Sequence, residues 1–301
     1  IFNINFLKMI KEIISFYKEA ELINENNYKD KTLEDFLKMK KLSNYFVNFH
    51  IIPMVAAIWS MSPDLAKKMP LALFLNFFKN HGLFKIKNRP QWYTVTGRSK
   101  VYVNKVLQTI SGEYFKNYEI KSVHRNKNSV RLFYGSANEY FDYDKVVFAT
   151  PANDALKLIK NPSENEKKIL SNFTYKKNTA FLHCDNRLMP DRKSAWSSWN
   201  SILDKQDVNQ NCITYWLNKL QNLKTSNNYF LTLNPIFQIN DKKIIKKVDF
   251  FHPFYNLKFI KAQKHLKELQ GINSSWFCGS YFGYGFHEDG LKSALNIVNQ
   301  I

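Results

Sequence analysis

The residues best suited to holding a ligand lie in Trp276–Ala294, WFCGSYFGYGFHEDGLKSA, where Gly279, Gly283, Gly285 and Gly290 supply four of the chain's nine glycines. An apolar, strand-like run precedes them and a helical period follows. A strand feeding through glycines into a helix brings several backbone N–H groups to one point, and the helix N-terminus adds partial positive charge there. That suits an anion or a polar ring edge. Gly279 directly follows the apolar run, where the lack of a side chain lets another molecule approach the main chain. The stretch is not a dinucleotide fingerprint: Glu288 stands where the third glycine of GxGxxG would fall, and no GxxxxGK[ST] occurs. From the residues alone a structural turn and a ligand loop remain equal readings. Glu288 and Asp289 in a helix's first turn complement the dipole, and Glu288 acting as a general base is the sharper alternative.

Other chemistry has little support. Cys184, Cys212 and Cys278 are odd in number, far apart and in no metal-ligand spacing, so they read as small hydrophobes in a reducing, cytoplasmic protein. The seven histidines are scattered and no metal is expected. A formal charge of +19 invites a cofactor-free basic module for nucleic acid or anionic membrane. Lysines spread along the whole chain fit a compositional bias better; no nucleic acid is expected, and peripheral membrane contact stays open. The longest apolar run, Ile51–Trp59, is too short to span a bilayer.

These residues need elements to position them. Phe6, Leu7, Ile10, Ile13, Ile14 and Tyr17 recur at helical spacing; Thr32 and Asp35 form a capping-box signature before a short helix; and helical material runs from Leu42 to Phe78 between Pro53, Pro63 and Pro70. Alternation at Tyr118–Ser122 and Val130–Tyr134 around a polar turn predicts a hairpin, with Glu139–Tyr143 extended after it. The run Val146–Ala149 predicts a buried strand, and Thr150 and Pro151 an N-cap and first-turn residue for a helix facing inward through Ala155, Leu156 and Ile159. Strands are expected at 179–185, 213–217, 229–233 and 272–278, a helix at 259–269, and a last helix with Leu291, Ala294, Leu295, Val298 and Ile301 inward.

The glycine stretch resembles the C-terminal FAD-binding motif of the flavin-containing amine oxidoreductases. The wider chain is similar to a bacterial branch of predicted NAD/FAD-binding proteins. The similarity is carried by NRPQWYTVTGRSKVYV (88–103), DKVVFATPANDAL (144–156), AWSSWN (195–200), TYWLNKLQ (214–221), LNP (233–235), HP (252–253) and CGSYFGYGFHEDGLKSA (278–294). The resemblance implies an α/β, two-dinucleotide-domain FAD-binding fold with an interleaved α+β substrate domain. Residues 1–88 and 157–270 would form the substrate domain, and 89–156 and 271–301 the FAD-binding part. It implies that the Ile120 main chain meets the adenine, Ala149 and Thr150 line the nucleotide path, and Gly279 and Ser280 follow the pyrophosphate and ribityl chain. Gly285, Phe286, His287, Glu288, Asp289, Gly290 and Leu291 would approach the flavin ring, with both carboxylates turned away.

Two departures accompany it. Ser280 stands where related flavoproteins carry an acid, and the N-terminal βαβ unit with its GxGxxG is missing, so a fragment with weakened FAD binding is expected. By the same resemblance Trp199, Asn200, Tyr215, Asn218 and Tyr284 would line the substrate; no catalytic residue is nominated. The resulting expectation is an FAD-dependent oxidoreductase of the amine oxidase type, taking hydride from an amine. A flavin-dependent desaturase or isomerase on a lipid-like substrate is the alternative.

Overall fold

The computed structural model describes residues 3–135, 139–204, 207 and 210–301. Its strands are β1 (Ile120–Arg125), β2 (Val130–Tyr134), β3 (Glu139–Tyr143), β4 (Val146–Phe148), β5 (Tyr175–His183), β6 (Trp199–Leu203), β7 (Asn211–Trp216), β8 (Phe230–Leu233), β9 (Ile244–Pro253) and β10 (Ser275–Phe277). They belong to two interleaved units: residues 1–77 with 171–265, and residues 78–170 with 266–301.

The first unit joins a helical layer to a five-stranded antiparallel sheet ordered β6-β7-β8-β5-β9. The helix Ile4–Leu22 starts at Asn3, whose side chain accepts from the N–H groups of Asn5 (3.0 Å) and Phe6 (3.3 Å). Its periodic residues divide between two environments: Met9, Phe16, Tyr17 and Ala20 are buried, while Leu7, Ile10 and Ile14 are exposed. Phe16 packs among Phe36, Phe46 and Phe74 at ring-centroid distances of 6.1, 5.3 and 6.5 Å. The Thr32–Asp35 capping box forms as the sequence predicts, and Leu33, Phe36 and Leu37 enter the core behind it. The sequence did not reveal β6 or β9. β9 is an edge strand with exposed Ile245, Phe250 and Phe251, so lysines and aromatics serve both of its faces and no two-residue period survives. The helix expected at 259–269 is Leu257–Gln263 followed by a separate turn at Leu266–Leu269.

The second unit holds the expected three-stranded meander β1-β2-β3 and a parallel pair, β4 with β10. Phe148 and Phe277 face each other across that pair with centroids 5.1 Å apart. The helix Glu164–Leu170 joins this unit through Glu166, which receives both Arg125 guanidinium nitrogens at 2.7 and 3.0 Å. Both side chains are buried, and such a pair holds only because every charge is matched. Burial pushes the Glu166 carboxyl up, but hydrogen bonds from Arg125 and Ser163 outweigh it and leave it below its ordinary value.

Two sequence expectations are corrected here. Thr150 is not the N-cap: Pro151, in extended geometry, takes that place, and the helix runs from Ala152 to Leu158. The last helix, His287–Val298, does not turn its leucines inward. Ser293 and Ile297 are buried, with Ala294 beside them, whereas Leu291, Leu295 and Val298 are exposed because the helix lays its serine side on the glycine loop.

Candidate functional site

β4 and β10 run parallel and end together, and the Cys278 N–H closes their ladder on the Phe148 carbonyl at 3.0 Å. Ligands in open α/β sheets settle outside such carboxyl ends. Beyond β4, Ala149 is exposed and Thr150 half-buried. The Thr150 Oγ1 atom is buried, and among the described residues it has no hydrogen-bond partner. The Asn153 Oδ1 atom is in the same condition, although its Nδ2 donates to Asp154 at 3.2 Å. Buried polar atoms are nearly always paired, so two unpaired ones within four residues beyond one strand end need a reason.

Beyond β10 the glycine loop is clasped from inside the protein. The Gly279 N–H donates to the buried Ser293 Oγ at 2.8 Å, and the Ser293 hydroxyl donates to the Gly290 carbonyl at 2.7 Å. The Asp289 carboxylate accepts from the N–H groups of Tyr284 and Phe286, each at 3.0 Å, so it caps the helix as a first-turn acid should. Glu288 is exposed and pairs with Lys292 at 3.4 Å. The His287 ring nitrogen Nδ1 meets the Tyr102 hydroxyl, tying the helix start to the helix Ser99–Thr109.

The glycines differ in what requires them. Gly279 has φ +152°, and a Cβ there would lie 2.7 Å from the Tyr281 ring; at Gly283 it would run into the Asp289 carboxylate. Both are explained by the loop's own packing. Gly285 has φ +97°, which favours glycine without any ligand. At Gly290 a Cβ would meet nothing closer than the Ser280 nitrogen, 3.7 Å away, which is ordinary contact. No protein neighbour demands that glycine.

The remaining site residues fall as follows. Ile120 opens β1 opposite Tyr134, with a bulge before Ser122. Ser280 begins the single turn Ser280–Phe282; Phe286 and Leu291 are exposed, and Tyr284 is half-buried. In the first unit Trp199 and Tyr215 are register partners on β6 and β7, edge to face with centroids 5.6 Å apart. The Tyr215 hydroxyl donates to the Ala57 carbonyl at 3.3 Å, and burial raises its phenol above the ordinary value. Asn200 and Asn218 are spent on structure. The Asn200 side chain accepts from Ser197 N–H and donates to the Ser197 and Thr214 carbonyls; the Asn218 side chain accepts from Tyr229 N–H and donates to Thr225 and the Asn227 carbonyl. Both amides have spent their two N–H donors and one oxygen lone pair on the fold, so neither has a donor left for a substrate.

The sequence reading missed Ser293, Asn153 and Tyr102. A serine one helical turn past the last glycine was the available signal for the first; the other two carry no spacing signature. It also missed a buried chain inside the first unit's sheet, His183 Nε2–Thr232 Oγ1–Thr214 Oγ1, at 2.7 and 2.8 Å. Burial lowers the His183 pKa to about 4. The Arg187 guanidinium holds nearby Asp185 well below the usual carboxylate range. Cys212 and Cys278 are buried, free thiols that burial pushes up. Among the described residues no group of three or more His, Cys, Asp or Glu could hold a metal, and no helix is long and apolar enough to cross a membrane.

No family model and no curated protein matches the sequence. Solved structures do. The chain superposes on a CLA-producing fatty acid isomerase from P. acnes with a TM-score of 0.62 at 11% identity, covering 100% of this chain and 76% of that one. Cyclohexylamine oxidase from Brevibacterium oxydans gives 0.62 at 11% identity, covering 99% and 75%. Wild-type putrescine oxidase bound to putrescine gives 0.64 at 9% identity, covering 98% and 76%. At such identities the likeness establishes a shared fold.

Proposed function

Starting from the fold of the flavin-containing amine oxidoreductases, we propose that this chain binds FAD at the carboxyl end of the β4–β10 pair and serves a flavin-dependent oxidoreductase. The observation that carries the reading is the Thr150 hydroxyl, buried and unpaired among the described residues just beyond that strand end. The residues present fit the group. Thr150 Oγ1 can donate to a pyrophosphate or ribose oxygen, Asn153 Oδ1 can accept from a ribose hydroxyl, and Gly290 leaves the main chain at the helix start uncovered by a side chain. Both acids of that helix start are engaged elsewhere, Asp289 with main-chain N–H groups and Glu288 with Lys292, so neither is a proton acceptor in this reading.

A bound flavin supplies the hydride acceptor; the chain supplies orientation. The Ser293 clasp fixes the Gly279 turn, so the loop needs no ligand to hold its shape. In the first unit, the Trp199–Tyr215 pair offers an aromatic surface suited to a cationic or apolar substrate, with Tyr215 anchored through its hydroxyl. An amine oxidase reaction and a lipid desaturation or isomerisation both use such a surface. The amine reading rests on the two amine oxidases among the similar structures, and the lipid reading on the fatty acid isomerase, matched over all of this chain. The test is anaerobic reduction of the flavin-loaded protein. Bleaching of the flavin absorbance by primary amines and not by unsaturated fatty acids supports the amine reading, and the reverse supports the lipid one. A protein that binds no flavin overturns both.

A further inference from the structure

The helix Ile4–Leu22 carries an apolar stripe that its own unit does not cover. Met9, Phe16, Tyr17 and Ala20 face the core, yet Leu7 (52% exposed), Ile10 (39%) and Ile14 (39%) recur at three- and four-residue spacing on another side. At about 3.6 residues per turn, Lys11 and Lys18 fall in the row beside that stripe and Lys8 in the row beyond them. All three lysines are exposed. Of the helix's three acids, Glu12 and Glu19 are already engaged, while Glu21 stands exposed at the C-terminal end of the stripe's own row. Glu12 accepts from the Ser43 N–H at 3.1 Å and from its hydroxyl, and Glu19 is ion-paired with Lys40. Leu7, Ile10, Lys11, Ile14, Ser15 and Lys18 together line a shallow groove of about 400 Å³. A helix with core contacts on one side and a solvent-facing stripe bordered by lysines has the division of an interfacial helix, in which apolar side chains enter the acyl boundary and ammonium groups reach the headgroups.

We propose that this face of the N-terminal helix docks on an anionic lipid surface. Charge complementarity selects the occupant. Lys11 and Lys18 border the stripe, and each lysine held near an anionic leaflet strengthens binding by about fivefold. The inference is independent of the flavin reading, because every residue it uses lies in the first unit.

The experiment is co-sedimentation with phosphatidylcholine vesicles, with and without phosphatidylglycerol, at low and high salt. The expected result is association that requires phosphatidylglycerol and weakens with salt. Replacing Ile10 and Ile14 together by serine should lower the affinity by at least about tenfold, and Lys11→Glu with Lys18→Glu should lower it further, while circular dichroism stays unchanged at these exposed positions. Ile245→Ser, at an exposed site on β9, should have no effect. Ile14→Trp should shift its fluorescence to the blue on adding anionic vesicles. The proposal is overturned if the wild-type chain ignores anionic vesicles or binds neutral ones equally well. It is equally overturned if the stripe variants bind like wild type, or if the stripe instead drives concentration-dependent self-association.

Discussion

Buried polar groups are treated in opposite ways inside the five-stranded sheet and beyond β4. Inside the five-stranded sheet Asn178, His183, Asn200, Thr214 and Thr232 each find a partner: Asn178 meets His252 and Asn234, Asn200 the main chain, and the other three one another. Beyond β4 in the second unit, Thr150 Oγ1 and Asn153 Oδ1 find none among the described residues. A closed polar interior specifies its own strand register and leaves nothing for a ligand. An open one loses stability in isolation and recovers it on binding.

The largest expected effect tests the closed side through pH. Burial depresses His183 to about 4, below the ordinary histidine value of about 6.5, so between those values the unfolded chain takes up a proton that the folded one refuses. Stability is therefore full above about pH 6.5, falls as pH drops toward 4 and levels off below, for a loss on the order of 2–3 kcal/mol. Urea unfolding from pH 7.5 to 4 should show this slope, and His183→Gln should flatten it. His252, also lowered by burial, leaves a residual slope in both proteins. A variant with the wild-type slope would show that His183 is not its source.

A matched pair of substitutions sharpens the comparison next. Thr232→Val leaves His183 and Thr214 without their shared partner and should cost about 1–3 kcal/mol, whereas Thr150→Val removes a buried unpaired hydroxyl and should leave stability unchanged or raise it by up to about 1–3 kcal/mol. Equal costs in denaturant midpoints would erase the distinction. Gly290→Ala adds a methyl group where the protein has room in a helix, so it should raise stability by about 0.4–1 kcal/mol while weakening flavin binding. A gain in stability with flavin affinity unchanged would give Gly290 no part in the site. The smallest effect belongs to Glu288→Gln, which removes only a first-turn charge and an exposed pair with Lys292 and should cost about 0.3–1 kcal/mol. Stopped-flow reduction of the flavin-loaded protein should be nearly unchanged by it; a large loss of rate would make Glu288 a base.

What was legible in the sequence followed local rules. The Thr32–Asp35 box, the meander and the strand–glycine–helix order of Trp276–Ala294 each rest on neighbours in sequence, and each is in place. What was hidden depends on distant partners. The chain from His183 to Thr214 joins three strands, and the Arg125–Glu166 pair spans 41 positions. The roles of Asn200 and Asn218 could not be read from residue type either, since an amide aimed at a substrate and one spent on the main chain look the same until the partners are known. The last helix misled for a related reason: its apolar period is real, but the side it buries is chosen by Ser293 bonding to Gly279.

The central claim is that the open polar end beyond β4 is a flavin site, and calorimetric titration with FAD of the wild-type chain beside Thr150→Val tests it most directly. Saturable binding, weakened by about fivefold to tenfold in the variant with no fall in its urea midpoint, is the predicted result, since one hydrogen bond contributes roughly that much. No saturable heat with the wild-type chain, or equal affinity in the two proteins, would contradict it.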